Sequence, residues 1–255
     1  MTTINSTWVE LNKNIESLLE HQDVTKFLQW KPIGRTMVHS NCHKNKLNWL
    51  QNNSWNIWEK AIQEDAFGGP IPYLQYPKSS GNLILHAYNF SQLRPTGNVK
   101  DIKSIFEFGG GYGSLCRLIH RLGFKGTYTI YDLPTCLKLQ DLFLSNINLS
   151  DVKINKDKIC EGEGQINLIE KLPEPMSVDL FIATWSLSET PILMRETILK
   201  AIDFKECLIS FYNDWGGINN DVYFKQLIKD MPQYNWTLTP AADLPSNYYL
   251  IGRKK

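Results

Sequence analysis

The chain has 255 residues, 42% of them hydrophobic and 21% charged, with 27 Lys and Arg against 26 Asp and Glu. That length suits one large domain, or one domain with a substantial extension. The balanced charge gives no reason to expect a nucleic-acid partner, and no apolar run approaches the length of a membrane span. The first residues have neither the basic nor the apolar region of a secretory signal. Five cysteines, an odd number with no C-x-x-C pair, favour reduced thiols in a cytoplasm.

In chain order, Trp8, Leu11, Ile15, Leu18 and Leu19 fall on one helical face. Leu47, Leu50, Ile57, Trp58, Ala61 and Ile62 repeat that spacing. Residues 67–82, FGGPIPYLQYPKSSGN, are rich in Gly and Pro and predict a loop. Residues 83–93, LILHAYNFSQL, predict a buried helix. The first hundred residues are therefore expected to be a helical N-terminal extension, and residues 101–255 a separate α/β domain.

From about residue 101 strands alternate with helices. KSIFEF is a short apolar strand that runs into GGGYG, and SLCRLIHRL follows with Leu115, Leu118, Ile119 and Leu122 at helical spacing. TYTIYD (127–132) is a strand ending on an acid, followed by a helix through Cys136, Leu139 and Phe143. SVDLFIATW (177–185) is a buried strand, and Thr190 and Pro191 signal the next helix. KECLISFY is another strand, Phe224, Leu227, Ile228 and Met231 mark a helix, and NWTLT and NYYLIGR close the chain as strands. Arg117, His120 and Arg121 read as the solvated face of one helix.

Strands separated by helices of this length imply βαβ units and a mostly parallel sheet. Ligands of such sheets sit beyond the carboxyl ends of the strands, where the strand order reverses. The residues after each strand, at 109–113, 132, 184–189 and 212–216, are thus the candidates for function.

A glycine turn between strand and helix lets a ligand approach the backbone closely. The spacing is G-x-G-x-G (Gly109, Gly111, Gly113), with Ser114 where a dinucleotide fingerprint has its third glycine. Glu107, two residues ahead, suits a cationic ligand better than a pyrophosphate. A nicotinamide or flavin site and an unliganded turn are the competing readings. Asp132 alone would also serve as a helix N-cap.

E-x-G-x-G-x-G at the end of the first strand resembles motif I of the class I S-adenosylmethionine (SAM)-dependent methyltransferases. EFGGGYGSL, YTIYDLPTCLKLQ and ATWSLSETP, in this order, resemble the sugar O-methyltransferase family of bacterial surface-polysaccharide pathways over roughly residues 80–252. The resemblance implies a Rossmann-like class I methyltransferase fold, with a C-terminal antiparallel hairpin and an N-terminal helical cap. It implies SAM as cofactor and transfer of its methyl group to a hydroxyl of a sugar, nucleotide-sugar or glycan. Glu107 would meet the methionine ammonium, Gly109, Gly111 and Gly113 would admit the cofactor, and Asp132 would take the ribose with Leu133 beside the adenine. Thr184, Trp185 and Tyr112 would line the same site.

A sugar hydroxyl calls for a general base. Glu189 and Asp214 follow strands, and His86 lies in the segment leading to the first strand. Each has a competing reading: helix-dipole partner, turn residue, and satisfied core or surface histidine. Tyr73, Tyr76, Tyr88, Trp30 and Trp58 are candidate sugar-stacking faces that read equally as core. His39, Cys42 and His43 lack a second ligand pair at zinc spacing, so no metal is expected, although Asp214 and Asp221 offer an acidic pair for magnesium. Methylation of another small acceptor, at nitrogen, carboxylate or a phosphate-type oxygen, remains an alternative, as does a non-catalytic scaffold of this fold.

Overall fold

The computed structural model describes residues 6–38, 44–241 and 244–255. His39, Cys42 and His43 lie outside the described residues. The N-terminal part contains α1 (Ser6–His21), a 3-10 turn (Val24–Gln29), α2 (Lys31–Thr36), α3 (Lys44–Asn52) and α4 (Trp55–Ala61). The apolar pattern from Leu47 to Ile62 spans two helices rather than one, because Ser54 between them takes a left-handed φ of 56°. The predicted loop at 67–82 contains a small hairpin, β1 (Pro72–Tyr73) with β2 (Tyr76–Ser80). Next comes α5 (Gly81–Ser91), buried at every residue except His86.

The remaining elements are β3 (Ser104–Phe108), α6 (Ser114–Arg121), β4 (Thr127–Tyr131), α7 (Pro134–Ser145), β5 (Lys153–Lys156), β6 (Gln165–Ile169) and β7 (Met176–Thr184). A 3-10 turn (Ser186–Glu189) leads to α8 (Ile192–Ala201) and β8 (Ile202–Tyr212). The chain ends with β9 (Asp214–Trp215), β10 (Ile218–Asn219), α9 (Asn220–Asp230), β11 (Tyr234–Pro240) and β12 (Asn247–Lys254). The strands β5 and β6 escaped the sequence reading because each is four or five residues long and β6 alternates with Gln165 and Asn167.

The eight-stranded sheet has the order β11-β12-β8-β7-β3-β4-β6-β5. Its strands from β8 to β5 are parallel, while β12 runs antiparallel to both β8 and β11. This is a Rossmann-like α/β fold, closed by the expected antiparallel hairpin.

The period of two along each strand divides the core into two layers. Ile105, Tyr128, Ile130, Leu180 and Ile182 face α5, α6, α7 and the N-terminal helices. Phe106, Phe108, Phe181, Ala183 and Ile209 face α8 and α9. Glu107 shares the first of these faces, so a carboxyl group stands in an apolar row.

The N-terminal segment is continuous with the first layer, as Phe27 packs 5.7 Å from Tyr112 and 6.0 Å from Phe143, ring centre to ring centre. This packing corrects the reading of α6. Arg117 is fully buried, its Nη1 2.5 Å from Glu64 Oε2 and 3.1 Å from Asp65 Oδ2. His120 packs against Phe124 and Tyr128. The face is covered because the acids at 64 and 65 are delivered by the N-terminal segment, a pairing that has no local trace in sequence.

Candidate functional site

The strand order reverses between β3 and β7, and a cleft of about 180 Å³, partly open to solvent, lies at their carboxyl ends. The glycine turn after β3 and the segment after β7 form its two sides. Gly109 adopts φ 74°, and a Cβ there would stand 2.3 Å from the Cβ of Ser186. Ser186 in turn donates a hydrogen bond to the Phe108 carbonyl. Gly109 is therefore bare so that the two sides can meet.

A Cβ on Gly110 would meet Ile130 at 2.8 Å and the Glu107 carboxylate at 3.2 Å. Gly111 has φ 58° and nothing within 4 Å of its notional Cβ. Gly113, at φ 93°, starts α6 with Leu144 against it, and does not line the cleft. Among these glycines, Gly111 is the one with open space before it.

Glu107 is 1% exposed and reaches the cleft floor. Burial pushes its carboxyl up to about 8; the Tyr128 hydroxyl, donating to Oε2 at 2.8 Å, opposes the rise, and the Asp132 charge adds to it. Burial also lifts Asp132, to about 6, against hydrogen bonds from the Leu133 N–H at 2.8 Å and from Gln140 Nε2 at 2.8 Å. Gln140 donates to the Gly111 carbonyl as well, at 3.0 Å, and so ties the glycine turn to Asp132.

Glu189 closes the 3-10 turn and lines the cleft. Burial raises it to about 7, opposed by the hydrogen bond that the Trp8 side chain donates. Trp185, before that turn, holds a strained φ of 64°, and its indole N–H donates to Asn247 Oδ1 at 2.7 Å. Non-glycine residues hold such a conformation only where the surroundings over-determine it.

The cleft thus brings together Glu107, Gly109, Gly111, Tyr112, Asp132, Leu133, Thr184, Trp185, Glu189 and His86. Tyr112 is 2% exposed and belongs mainly to the core, its ring 5.0 Å from that of Phe143 and its hydroxyl 2.8 Å from Asn82 Nδ2. Asp214 is not brought in. It is exposed on β9, which pairs with β10 in a separate hairpin. Asp221 pairs with Lys225 Nζ at 2.8 Å. Among the described residues no group of three His, Cys, Asp or Glu could hold a metal ion.

Trp30, Trp58, Tyr73, Tyr76 and Tyr88 do not line this cleft; Trp58 is fully buried in the core. The N-terminal segment instead contributes Trp8, Thr36 and Met37. Sequence reasoning missed these, together with Gln140; Ser186 and Tyr212 fall within the strand ends it marked at 184–189 and 212–216, without a role of their own. Only Gln140 carried a usable signal: it lies four residues after Cys136 on one face of α7, the helix that follows Asp132.

Three carboxyl groups and one histidine line the cleft, with no Lys or Arg among the described lining residues. All three carboxyls are lifted above the ordinary carboxylate range by burial. Perturbed groups gathered in one concave site are the physical mark of a functional one.

No protein-family model matches the chain. A stretch of 75 residues is 28% identical to demethylspheroidene O-methyltransferase of Rhodobacter capsulatus, covering 29% of this chain and 19% of that protein. Among solved structures, the CMeT domain of the citrinin polyketide synthase aligns with TM-score 0.48 at 13% identity, over 69% of this chain and 54% of that one. An rRNA methylase from Streptococcus thermophilus aligns with TM-score 0.43 at 15% identity, over 67% and 94%. Among the described residues no helix is long and apolar enough to cross a membrane.

Proposed function

We propose that the chain is a SAM-dependent O-methyltransferase whose acceptor is a sugar hydroxyl of a surface-glycan precursor. The observation that carries the cofactor assignment is the charge of the cleft: three carboxyls and no cationic side chain among the described lining residues. Such a cleft suits a ligand bearing ammonium and sulfonium charges and repels a pyrophosphate, which argues against a nicotinamide dinucleotide. The buried Glu107, with no Lys or Arg beside it among the described lining residues, and the open space before Gly111 fit this cofactor.

When bound, SAM supplies an electrophilic methyl group on a sulfonium. Glu107 would face its ammonium, Asp132 its ribose hydroxyls and Leu133 its adenine, with Tyr112, Thr184 and Trp185 around the sulfonium. The glycines divide this role: Gly111 would admit the ligand, while Gly109 and Gly113 shape the turn. Glu189 would accept the proton of the acceptor hydroxyl on its carboxylate. A group titrating near 7 suits a base at neutral pH. His86, at the same cleft, is the second candidate.

The sugar assignment rests on the three quoted motifs, and Trp8, Trp185 and Tyr212 offer aromatic faces for a sugar ring. The same absence of Lys and Arg supports an acceptor whose reacting end carries no phosphate. A small-molecule acceptor, rather than a nucleic acid, is also in keeping with the balanced charge of the chain.

Titration calorimetry with S-adenosylhomocysteine tests the cofactor pose. Asp132→Ala is expected to weaken binding about 10- to 100-fold, the scale of one or two hydrogen bonds to a charged group. Undiminished binding by Asp132→Ala, or binding of NAD in its place, would overturn the pose. Acceptor screening with glycans and unrelated small acceptors then tests the sugar.

A second expectation follows from proton linkage. Free Glu107 is protonated at pH 7, and a facing ammonium favours the carboxylate. Binding should therefore release a proton, and affinity should rise with pH between about 6 and 7.5, by at most about tenfold per unit for one proton. Calorimetry in buffers of different ionisation enthalpy reads the proton directly. Uptake, or no exchange, would place Glu107 outside the cation site.

A further inference from the structure

Glu189 is carried by a 3-10 turn of four residues, too short to hold itself in place. Its flanking carbonyls, those of Ser188 and Thr190, have no helix to continue into and need donors. One side chain satisfies both. Arg195, fully buried on α8, donates from Nη2 to the Ser188 carbonyl at 2.7 Å and from Nε to the Thr190 carbonyl at 2.8 Å. Its third contact, from Nη1 to Asn220 Oδ1 at 2.7 Å, fixes the other end of the guanidinium. Asn220 is also fully buried, and its Nδ2 donates to the same Ser188 carbonyl at 3.3 Å.

These hydrogen-bond partners are neutral: two carbonyls and an amide. Among the described residues no carboxylate pairs with Arg195, and its guanidinium lies 4.8 Å from the centre of the Tyr223 ring. Burying a charge without an opposite one is costly unless it is fully hydrogen-bonded. Only a planar fork reaches two carbonyls separated by one residue while holding a third group behind. The residue between those two carbonyls is Glu189.

We infer that Arg195 is a positioning residue which, anchored by Asn220, locks the backbone on both sides of Glu189 and so holds that carboxyl group in the cleft. This rests on the reading of Glu189 as the base. Without the fork, the turn is free to swing Glu189 toward water, out of contact with Trp8. The other titratable groups lining the cleft among the described residues are His86, Glu107, Tyr112, Asp132, Cys136 and Tyr212, and the hydrogen bonds of the Arg195 side chain go to Thr190, Ser188 and Asn220 instead.

The experiment follows glutamate carboxyl resonances by carbon NMR over pH 4 to 9 in the full chain, using Glu189→Gln to identify the Glu189 signal. In the parent this signal should titrate near 7. In Arg195→Lys, which keeps the charge and loses the fork, it should fall by at least one pH unit, toward the range of an exposed glutamate. A folded Arg195→Lys protein with an unmoved Glu189 titration would overturn the inference, and so would a parent signal in the ordinary range. Should Arg195→Lys not fold, Asn220→Ser loosens the same fork, and a shift in the same direction is required of it. S-adenosylhomocysteine affinity is measured alongside. Its absence in the parent would defeat the cofactor reading without touching the clamp, whereas a normal affinity with an unmoved titration would defeat the clamp alone.

Discussion

Arg117→Ala is expected to lower folding stability by about 3–5 kcal/mol, the range for stripping one partner from a buried ion pair. The guanidinium is fully buried, and Nη1 lies between Glu64 and Asp65 at 2.5 and 3.1 Å. It also lies 5.3 Å from the centre of the Phe143 ring, so the substitution opens a cavity as well. Asp65 keeps Arg121, at 2.7 Å, but Glu64 retains only neutral help from the Ser80 hydroxyl among these contacts. If the uncompensated Glu64 charge is the cause, Arg117→Met combined with Glu64→Gln should recover more than half of the loss. Urea denaturation decides this. A single variant within 1 kcal/mol of the parent would mean that the pair does not hold the N-terminal segment to α6.

Gly109→Ala should cost about 2–5 kcal/mol, from two sources. A left-handed conformation without glycine costs roughly 1–2 kcal/mol. Overpacking against a neighbour that cannot retreat costs about 1–3 kcal/mol more. That neighbour is Ser186, whose Cβ would be 2.3 Å away and whose hydroxyl is tied to the Phe108 carbonyl. Gly111→Ala is the control: it shares the positive φ but meets open space. Its expected cost is the conformational part alone, about 1–2 kcal/mol. Equal denaturation midpoints for the two variants would refute the close approach of the β3 and β7 ends as the reason for Gly109.

Much of the cleft could be read from the chain. Glu107, the glycines and Asp132 follow strands whose ends are visible as changes from apolar alternation to Gly or Asp. The parallel-sheet rule then directs attention to those ends. The rule also selected Asp214, which the structure turns outward on a short hairpin that Gly216 and Gly217 permit with φ 59° and 81°. It selected Glu189 on the same grounds, and here the turn faces inward. No local feature of ETPIL or NDWGG separates the two cases.

The difference lies in contacts made across the chain. Glu189 faces the cleft beside Trp8 and is backed by Arg195 and Asn220, from α1, α8 and α9. Arg117 looked solvated because its three-to-four-residue spacing with His120 and Arg121 marks a polar helix face, and nothing nearby announces Glu64 and Asp65. The sequence by itself determined the α/β alternation, the glycine turn and the acids that end two strands, since these follow from backbone sterics and hydrophobic period within a few residues. Only the tertiary structure decided which glycine faces open space, which acid faces the cleft and which charges are buried. Those outcomes depend on groups from different elements, such as Arg117 and Glu64 at a separation of 53, being brought within hydrogen-bond reach and withdrawn from water together.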